Sequence, residues 1–328
     1  MNSNNDPFLY RSEGGSFSVG SDNEDHMSAL VKVGENLLCI TRKNISAILL
    51  ADSIDPGRTN PKIRHNVQHI LAYGSDSELV GKTLQQASVL FKEHSLTKNI
   101  DYDHGLTVAL SFLKEITSLD KIRNEYITEE TAINSKISSK NPQPQIPSLS
   151  NLEQKTKGFI TNTDHSIRLV MEMVQLFYPN IKNTGWENQL HQEIKSTAPD
   201  EDSFILFIEQ FKEFTGKVRK MRNTIEHSDN DNLLTIENYK LTPANTLNPP
   251  SVSFTGKDFN LPKMQVNNFM NSTISNLLIT FELLMTYLSN LHAKPFGKDL
   301  RVVIEVPENE RGEAEKHVRF RYEILWKK

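Results

Sequence analysis

The chain has 328 residues, a formal net charge of −4 and a hydrophobic fraction of 37%. That length can support two modest domains or one large one, and neither would need disulfides or metals to bury a core. The weak negative charge argues against a protein that coats nucleic acid through bulk electrostatics, but it leaves room for one local basic patch.

Cysteine content and hydropathy indicate in which cellular compartment the protein is expected. The single cysteine, Cys39, lies within an apolar run, so an intramolecular disulfide and a zinc site of several thiolates are excluded. No apolar run approaches the roughly 18 to 20 residues of a membrane span, and the polar N-terminus lacks the pattern of a signal peptide. We therefore expect a cytoplasmic protein without a membrane partner.

The first half of the chain divides into three predicted segments. Residues 1–26 are rich in Ser, Asn, Gly and Asp, and we expect a disordered tail. Residues 27–127 contain apolar residues at helical spacing and predict a helical N-terminal domain, including a short helix that starts at Pro61 with Asn60 as its cap. Residues 128–157 lose apolar content and contain three prolines, which is typical of a linker.

The second half, residues 158–328, predicts a helical domain. One helix should run from about Gly158 to Phe177, and a longer one from about Ser203 to His227. Two short strands should follow, and then a helix over residues 266–291. Alternating residues near the C-terminus predict a final β-hairpin. The expected fold class is mainly α: a helical bundle with small β-hairpin additions, preceded by a helical N-terminal region.

The most informative stretch lies near the end of the long helix. Its basic run supplies four cations within six residues, namely Lys217, Arg219, Lys220 and Arg222. Directly after them, Asn223 and His227 are four residues apart and share one helix face, whereas Arg222 is displaced by about 100° and is spaced to pair with Glu226. The plain interpretation is a solvated helix face with a surface ion pair and a histidine at the helix C-terminus.

This stretch also resembles the signature of the HEPN superfamily, in which Arg is followed by a polar residue, three further positions and His, late in a long helix. The resemblance covers roughly residues 158–291. It implies a helical bundle that dimerises and brings two Arg/His pairs across a shared cleft. It also implies toxin or anti-phage biology.

The spacing alone is weak evidence, because loose Arg/His patterns arise readily by chance. Two further matches occur, Arg64/His69 and Arg58/His65. The first would lie on a short helix without a long preceding helix, and the second straddles Pro61. We therefore rank Arg222/His227 first and keep Arg64/His69 as a possible second motif in a degenerate partner domain.

The chemistry of RNA suits these groups. The 2′-hydroxyl is a built-in nucleophile, so cleavage needs a base, an acid and a cation that stabilises charge on the phosphate. We predict that Arg222, Asn223, Glu226 and His227 form the catalytic set and that Lys217, Arg219 and Lys220 bind substrate. No metal or cofactor is required. One His cannot easily serve both faces of the phosphorus, so we expect a homodimer.

The leading hypothesis is thus a metal-independent endoribonuclease with an RNA substrate and a possible neutralising or activating protein partner. Two alternatives stay open: a catalytically silent helical module for dimerisation or RNA or protein binding, and a structural scaffold. His65 and His69 have the spacing of a two-His metal site, and residues 101–104 could ligate a cation, but both have ordinary explanations. No Walker loop, GxGxxG, GxSxG or CxxC motif occurs.

Overall fold

The computed structural model describes residues 25–97, 100–137, 146–198, 200–227, 231–244 and 246–326. About 51% of these residues are helical and about 21% are in strands, which form four small antiparallel sheets within the described ranges. The fold is therefore a mixed α/β arrangement, and the prediction of a mainly α bundle was wrong.

Strands and helices alternate along the chain. The strands are β1 (Met27–Val33), β2 (Asn36–Thr41), β3 (Ile45–Leu49), β4 (Asn66–Leu71), β5 (Leu233–Glu237), β6 (Lys240–Leu241), β7 (Leu247–Asn248), β8 (Ser251–Thr255), β9 (Asn260–Gln265), β10 (Leu300–Glu305) and β11 (Phe320–Leu325). The helices are α1 (Ala51–Ile54), α2 (residues 78–90), α3 (Tyr102–Ile137), α4 (Leu152–Phe177), α5 (Trp186–Thr197), α6 (Asp202–Glu226) and α7 (Val266–Leu291). Two 3₁₀ turns, Glu308–Glu310 and Glu313–Glu315, lie between β10 and β11.

The chain forms two compact units. The first contains the described residues up to Leu113 together with those from Leu284 onward, and the second is Lys114–Leu283. These units differ from the predicted ranges 27–127 and 158–328, because α3 and α7 each pass from one unit into the other. The predicted tail lies outside the described residues up to position 24, and the predicted linker does so at 138–145.

The first unit begins with an antiparallel meander in the order β1-β2-β3-β4. A tight turn joins β1 to β2, and Gly34 adopts a positive φ of +57° there. The prediction of helices over this region was wrong, because short apolar runs such as those of β2 and β3 fit a buried strand as well as a helix. Their β-branched residues favour the strand.

Helix α2 is hydrogen-bonded to β11 of the C-terminal hairpin. Its middle turn, Gly81–Gln85, is π-helical. The buried side-chain amide of Gln86 forms hydrogen bonds with the backbone at the start of β11. Its Nε2 donates to the Phe320 carbonyl at 2.8 Å, and its Oε1 accepts from the Arg319 and Phe320 N–H groups at 2.9 and 3.0 Å. The predicted hairpin is confirmed, since β10 pairs with β11 from Leu300↔Leu325 to Glu305↔Phe320.

His317 packs against the π-helical turn. A Cβ at Gly81 would come within 2.2 Å of the His317 Cβ, so only glycine fits there. Burial lowers the pKa of His317, and the hydrogen bond between its Nε2 and the Asp76 carbonyl opposes that shift. Burial lowers the pKa of His292 as well.

Stability should therefore depend on pH through these histidines. Because their pKa is lower in the folded state, the unfolded chain binds more protons, and the free energy of unfolding should decrease as the pH falls below about 6.5. The decrease should stop once the pH is below the folded-state pKa. Urea unfolding between pH 7.5 and 5 should show this slope, and His317→Gln should flatten it. His69→Gln, at an exposed position on β4, should leave the slope unchanged. If His317→Gln kept the same slope as the wild-type protein, His317 would not be the source of the pH dependence.

The second unit combines long helices with a small sheet. Helix α6 packs against α4 and α5, and β5 contacts both α4 and α6. The sheet has the strand order β5-β8-β9 and is inserted between α6 and α7. The predicted long helix and the two predicted strands after it are confirmed here with small shifts of their ends.

Helix α7 is the one described helix that is long and apolar enough to cross a membrane by length and composition. Its most apolar 18-residue stretch is 56% buried within the protein, which is the pattern of a core helix in a soluble protein. The helix predicted over residues 266–291 is confirmed, but it was not predicted as a candidate span, because its apolar residues are interrupted by Asn, Ser and Thr.

Candidate functional site

Helix α6 turns one face to the core and one to solvent. Its buried side chains recur at steps of three, four and seven: Phe204, Ile208, Phe211, Thr215, Val218 and Met221. The Trp186 and Phe211 ring centroids are 5.4 Å apart, which anchors α5 to this face. The helix ends at Glu226, and His227 follows with an extended backbone while its N–H donates to the Asn223 carbonyl at 2.8 Å. The motif therefore lies at a well-anchored helix end.

The exposed face of this helix end borders a cleft of about 360 Å³, lined by Lys220, Asn223, Thr224, His227 and Asn232. The structure thus brings together three of the predicted site residues, Lys220, Asn223 and His227. Asn232 is a further polar residue that the sequence interpretation did not single out. It immediately precedes β5, and only the fold places it beside the end of α6.

Arg222 does not line this cleft but contacts Asn223, which does. Its Nη1 donates to Asn223 Oδ1 at 3.3 Å, its Nη2 lies 2.7 Å from Glu226 Oε1, and its Nε lies 3.9 Å from Asp164 Oδ2. The side chain is 25% exposed. The guanidinium is therefore oriented by neighbouring oxygens, and the predicted pair with Glu226 is present.

Asp164 is the residue that sequence reasoning missed. It lies on α4 with only 7% of its side chain exposed, and Arg168 Nη2 is 2.9 Å from its Oδ2. A buried carboxylate normally needs such cationic partners. The signal was available, because Asp164 interrupts the apolar stripe of α4 between Ile160 and Ile167.

The cations of the basic run, which were predicted to bind substrate, form ion pairs within the protein. Lys217 pairs with Glu213, and Lys220 pairs with Asp258. That contact and the charge of Lys220 lower the pKa of Asp258. Both pairs are exposed, and such pairs stabilise little, so a stronger anion could displace the carboxylates.

Arg219 is bound far more firmly. Its Nη2 lies 2.8 Å from Glu187 Oε1, and its Nη1 donates to Glu187 Oε2 at 3.2 Å. The Glu187 side chain is only 4% exposed and also accepts a hydrogen bond from Thr215 at 2.7 Å. A fork of two bonds to a buried carboxylate is a structural arrangement. Arg219 is therefore tied to the fold.

The other Arg/His matches lie elsewhere. Arg64 precedes β4 and His69 lies within it, so the predicted helix at Pro61 was wrong. His65 has a local role, since its Nδ1 accepts from the Ala51 N–H at 2.9 Å. Arg58 pairs with Asp52 at 2.9 Å. None of these residues lines the cleft.

The acidic residues at positions 101–104 also have a local role. Asp101 accepts from the His104 N–H at 3.0 Å, which is a helix-capping contact at the start of α3. Within the described ranges, no group of three or more His, Cys, Asp or Glu residues is arranged to hold a metal ion.

Comparisons of the chain with protein-family models, with curated proteins and with solved structures found no significant match.

Proposed function

We propose that the chain is a metal-independent endoribonuclease whose cleavage site is the cleft at the end of α6. The observation that carries this proposal is that His227, Asn223 and Lys220 line one cleft, with the Arg222 side chain bonded to Asn223. Phosphodiester cleavage by the 2′-hydroxyl requires a base, an acid and a cation, and these residues can supply the base and the cation.

The reaction begins at the 2′-hydroxyl. His227 removes its proton as O2′ attacks the adjacent phosphorus, and the bond from phosphorus to O5′ then breaks. The departing O5′ takes up a proton from a general acid. The products are a 2′,3′-cyclic phosphate and a 5′-hydroxyl, and water can open the cyclic phosphate to a 3′-phosphate.

The cations act on the phosphate. The planar guanidinium of Arg222 can exchange the Glu226 carboxylate for two phosphate oxygens, because that ion pair lies at the surface. Lys220 can exchange Asp258 in the same way. Asp164 and Glu226 hold the Arg222 side chain beside Asn223, and Asn223 is placed to donate from its amide.

One cleft contains one histidine, whereas the reaction needs both a base and an acid. We therefore assign the acid to His227 of a second copy, so that the active form is a homodimer. A toxin or anti-phage role and a neutralising or activating partner belong to this proposal through the resemblance of residues 222–227 to the HEPN signature. A cytoplasmic location belongs to it through the single cysteine and the hydropathy of the sequence.

A second candidate is a catalytically silent module for dimerisation or for RNA or protein binding. The pairing of all four cations of the basic run favours it, because each has a carboxylate partner: Glu213, Glu187, Asp258 and Glu226. A phosphate must displace at least one of these carboxylates before it can bind.

Incubation of a labelled RNA pool with the purified protein in EDTA tests the proposal. We expect cleavage with cyclic-phosphate and 5′-hydroxyl ends. Arg222→Lys should lower the rate by about 10- to 100-fold, because the charge remains while the planar two-pronged geometry does not. Arg168→Lys, at the other partner of Asp164, is the matched control and should cleave at the wild-type rate. Absence of cleavage by the folded dimer would favour the silent module.

A further inference from the structure

The end of the C-terminal hairpin carries a group of aromatic and cationic side chains, which we call the aromatic platform: the exposed Phe296 and Trp326 and the half-buried Arg301 and Tyr322. The Phe296 and Trp326 rings meet edge to face, with centroids 6.3 Å apart and planes at 89°. The Arg301 guanidinium carbon lies 6.0 Å from the Phe296 centroid and 5.8 Å from that of Tyr322. Phe296 is 49% exposed and Trp326 is 67% exposed.

Hydrogen bonds to backbone carbonyls hold two members of the platform in place. The Tyr322 hydroxyl donates to the Leu90 carbonyl at 3.0 Å, and Arg301 donates to the His94 carbonyl. These bonds fix one ring and one guanidinium on the rigid hairpin. An edge-to-face pair covers at most one of the four faces of its two rings, so faces remain open to a planar ligand.

Cations outnumber anions around the platform, since the turn that contains Phe296 has two lysines and one aspartate, Asp299. Lys294 and Lys298 are exposed in the turn that contains Phe296, and neither forms an ion pair with the residues that the structure describes. Arg301 likewise contacts rings and a carbonyl rather than a carboxylate within those residues. These three cations contrast with the paired cations of the basic run on α6.

We propose that the aromatic platform binds single-stranded RNA, with bases stacked on Trp326 and Phe296 and phosphates held by Arg301, Lys294 and Lys298. Exposed rings interleaved with available cations are the two elements of single-strand recognition. Because every base has a flat face, such a surface accepts many sequences. The platform belongs to the first unit, so this binding does not depend on cleavage at the cleft of the second unit.

Two other occupants fit less well. Insertion into a membrane and association of two copies both need a continuous apolar surface. Here the guanidinium of Arg301 lies beside both the Phe296 and the Tyr322 rings, so a charge interrupts the apolar area. Charge complementarity therefore favours an anion with flat rings.

Tryptophan fluorescence can test this directly, because the chain has only two tryptophans and Trp186 is buried. In Trp186→Phe, the signal comes from Trp326 alone. Titration with a 12-residue oligouridine, in a His227→Ala background that prevents cleavage, should quench it. Adding Trp326→Ala should weaken binding of labelled oligouridine by about tenfold or more, as should Arg301→Gln. If Trp186→Phe fails to fold, the difference in emission between the His227→Ala protein and its Trp326→Phe derivative gives the same signal.

The matched control is Leu206→Ala, which removes an equally exposed apolar side chain from α6 and should leave affinity unchanged. Replacement of Lys294 and Lys298 by Gln should make affinity less dependent on salt, by a slope of about 0.7 for each phosphate that is no longer neutralised. Unchanged fluorescence and affinity would overturn the proposal. So would a blue shift caused only by vesicles of anionic phospholipid, or by raised protein concentration without RNA.

Discussion

Replacing His227 by alanine should lower the rate constant for RNA cleavage by about 10²- to 10⁴-fold, the usual contribution of general acid and base groups. The imidazole is the one side chain lining the cleft whose ring nitrogens can both accept and donate a proton during catalysis. The backbone at this position is extended and the side chain is exposed, so alanine should be accepted without a decrease in stability.

The measurement is single-turnover cleavage of a defined oligonucleotide, with circular dichroism to confirm folding. His165→Ala is the matched control, because His165 is an exposed histidine of the same unit, on α4, and does not line the cleft. It should retain the wild-type rate. Equal rates for wild type and His227→Ala would remove His227 from the reaction. Mixing His227→Ala chains with wild-type chains should lower the activity by more than the fraction of wild-type chains replaced, because a mixed dimer lacks one of the two histidines that the shared reaction needs.

Replacing Glu187 by alanine should lower the free energy of unfolding by about 2 to 3 kcal/mol, because a buried hydrogen-bonded charge pair is left with one partner. The change leaves the Thr215 hydroxyl and the Arg219 guanidinium without their main acceptor. Since Arg219 is 36% exposed, water can reach it and moderates the effect. Urea unfolding of the purified variants measures the change.

The matched control is Glu209→Ala. Glu209 is 56% exposed and pairs with His191 at 3.2 Å, so its removal should cost less than about 1 kcal/mol. Arg219→Ala should destabilise the protein by an amount similar to Glu187→Ala yet leave RNA affinity within about twofold, if the ion pair is structural. A stable Arg219→Ala variant with much weaker RNA binding would instead return Arg219 to the substrate-binding set, as the sequence first predicted.

Sequence reasoning was most successful where periodicity was long. Helix α6 and helix α7 each extend over about seven turns, and the terminal hairpin alternates strictly, so their patterns are unambiguous. The meander of β1 to β4 was missed because its apolar runs are only four or five residues long. The wrong helix at Pro61 had another source, since it was predicted from Asn60 as a cap and Pro61 as a first helical residue.

The candidate site divides in a similar way. Asn223 and His227 could be placed on one face because four residues make about one helical turn. The roles of Asp164 and Asn232 depend on which elements pack together, and no spacing along the chain shows that. The ion pairs of the basic run could not be predicted from the sequence either, since the partner of Arg219 is 32 residues away along the chain and that of Lys220 is 38.

The division of the first unit between two distant parts of the chain affects how the protein is made. The bonds from Gln86 to Arg319 and Phe320 join positions more than 230 residues apart. During synthesis, all of the second unit leaves the ribosome before β11 exists, so it can acquire its structure first. Strands β1 to β4 and helix α2 of the first unit can complete their packing only after β11 has been translated. A chain truncated before the hairpin would therefore contain every residue of the proposed cleavage site while leaving α2 without the strand that covers it.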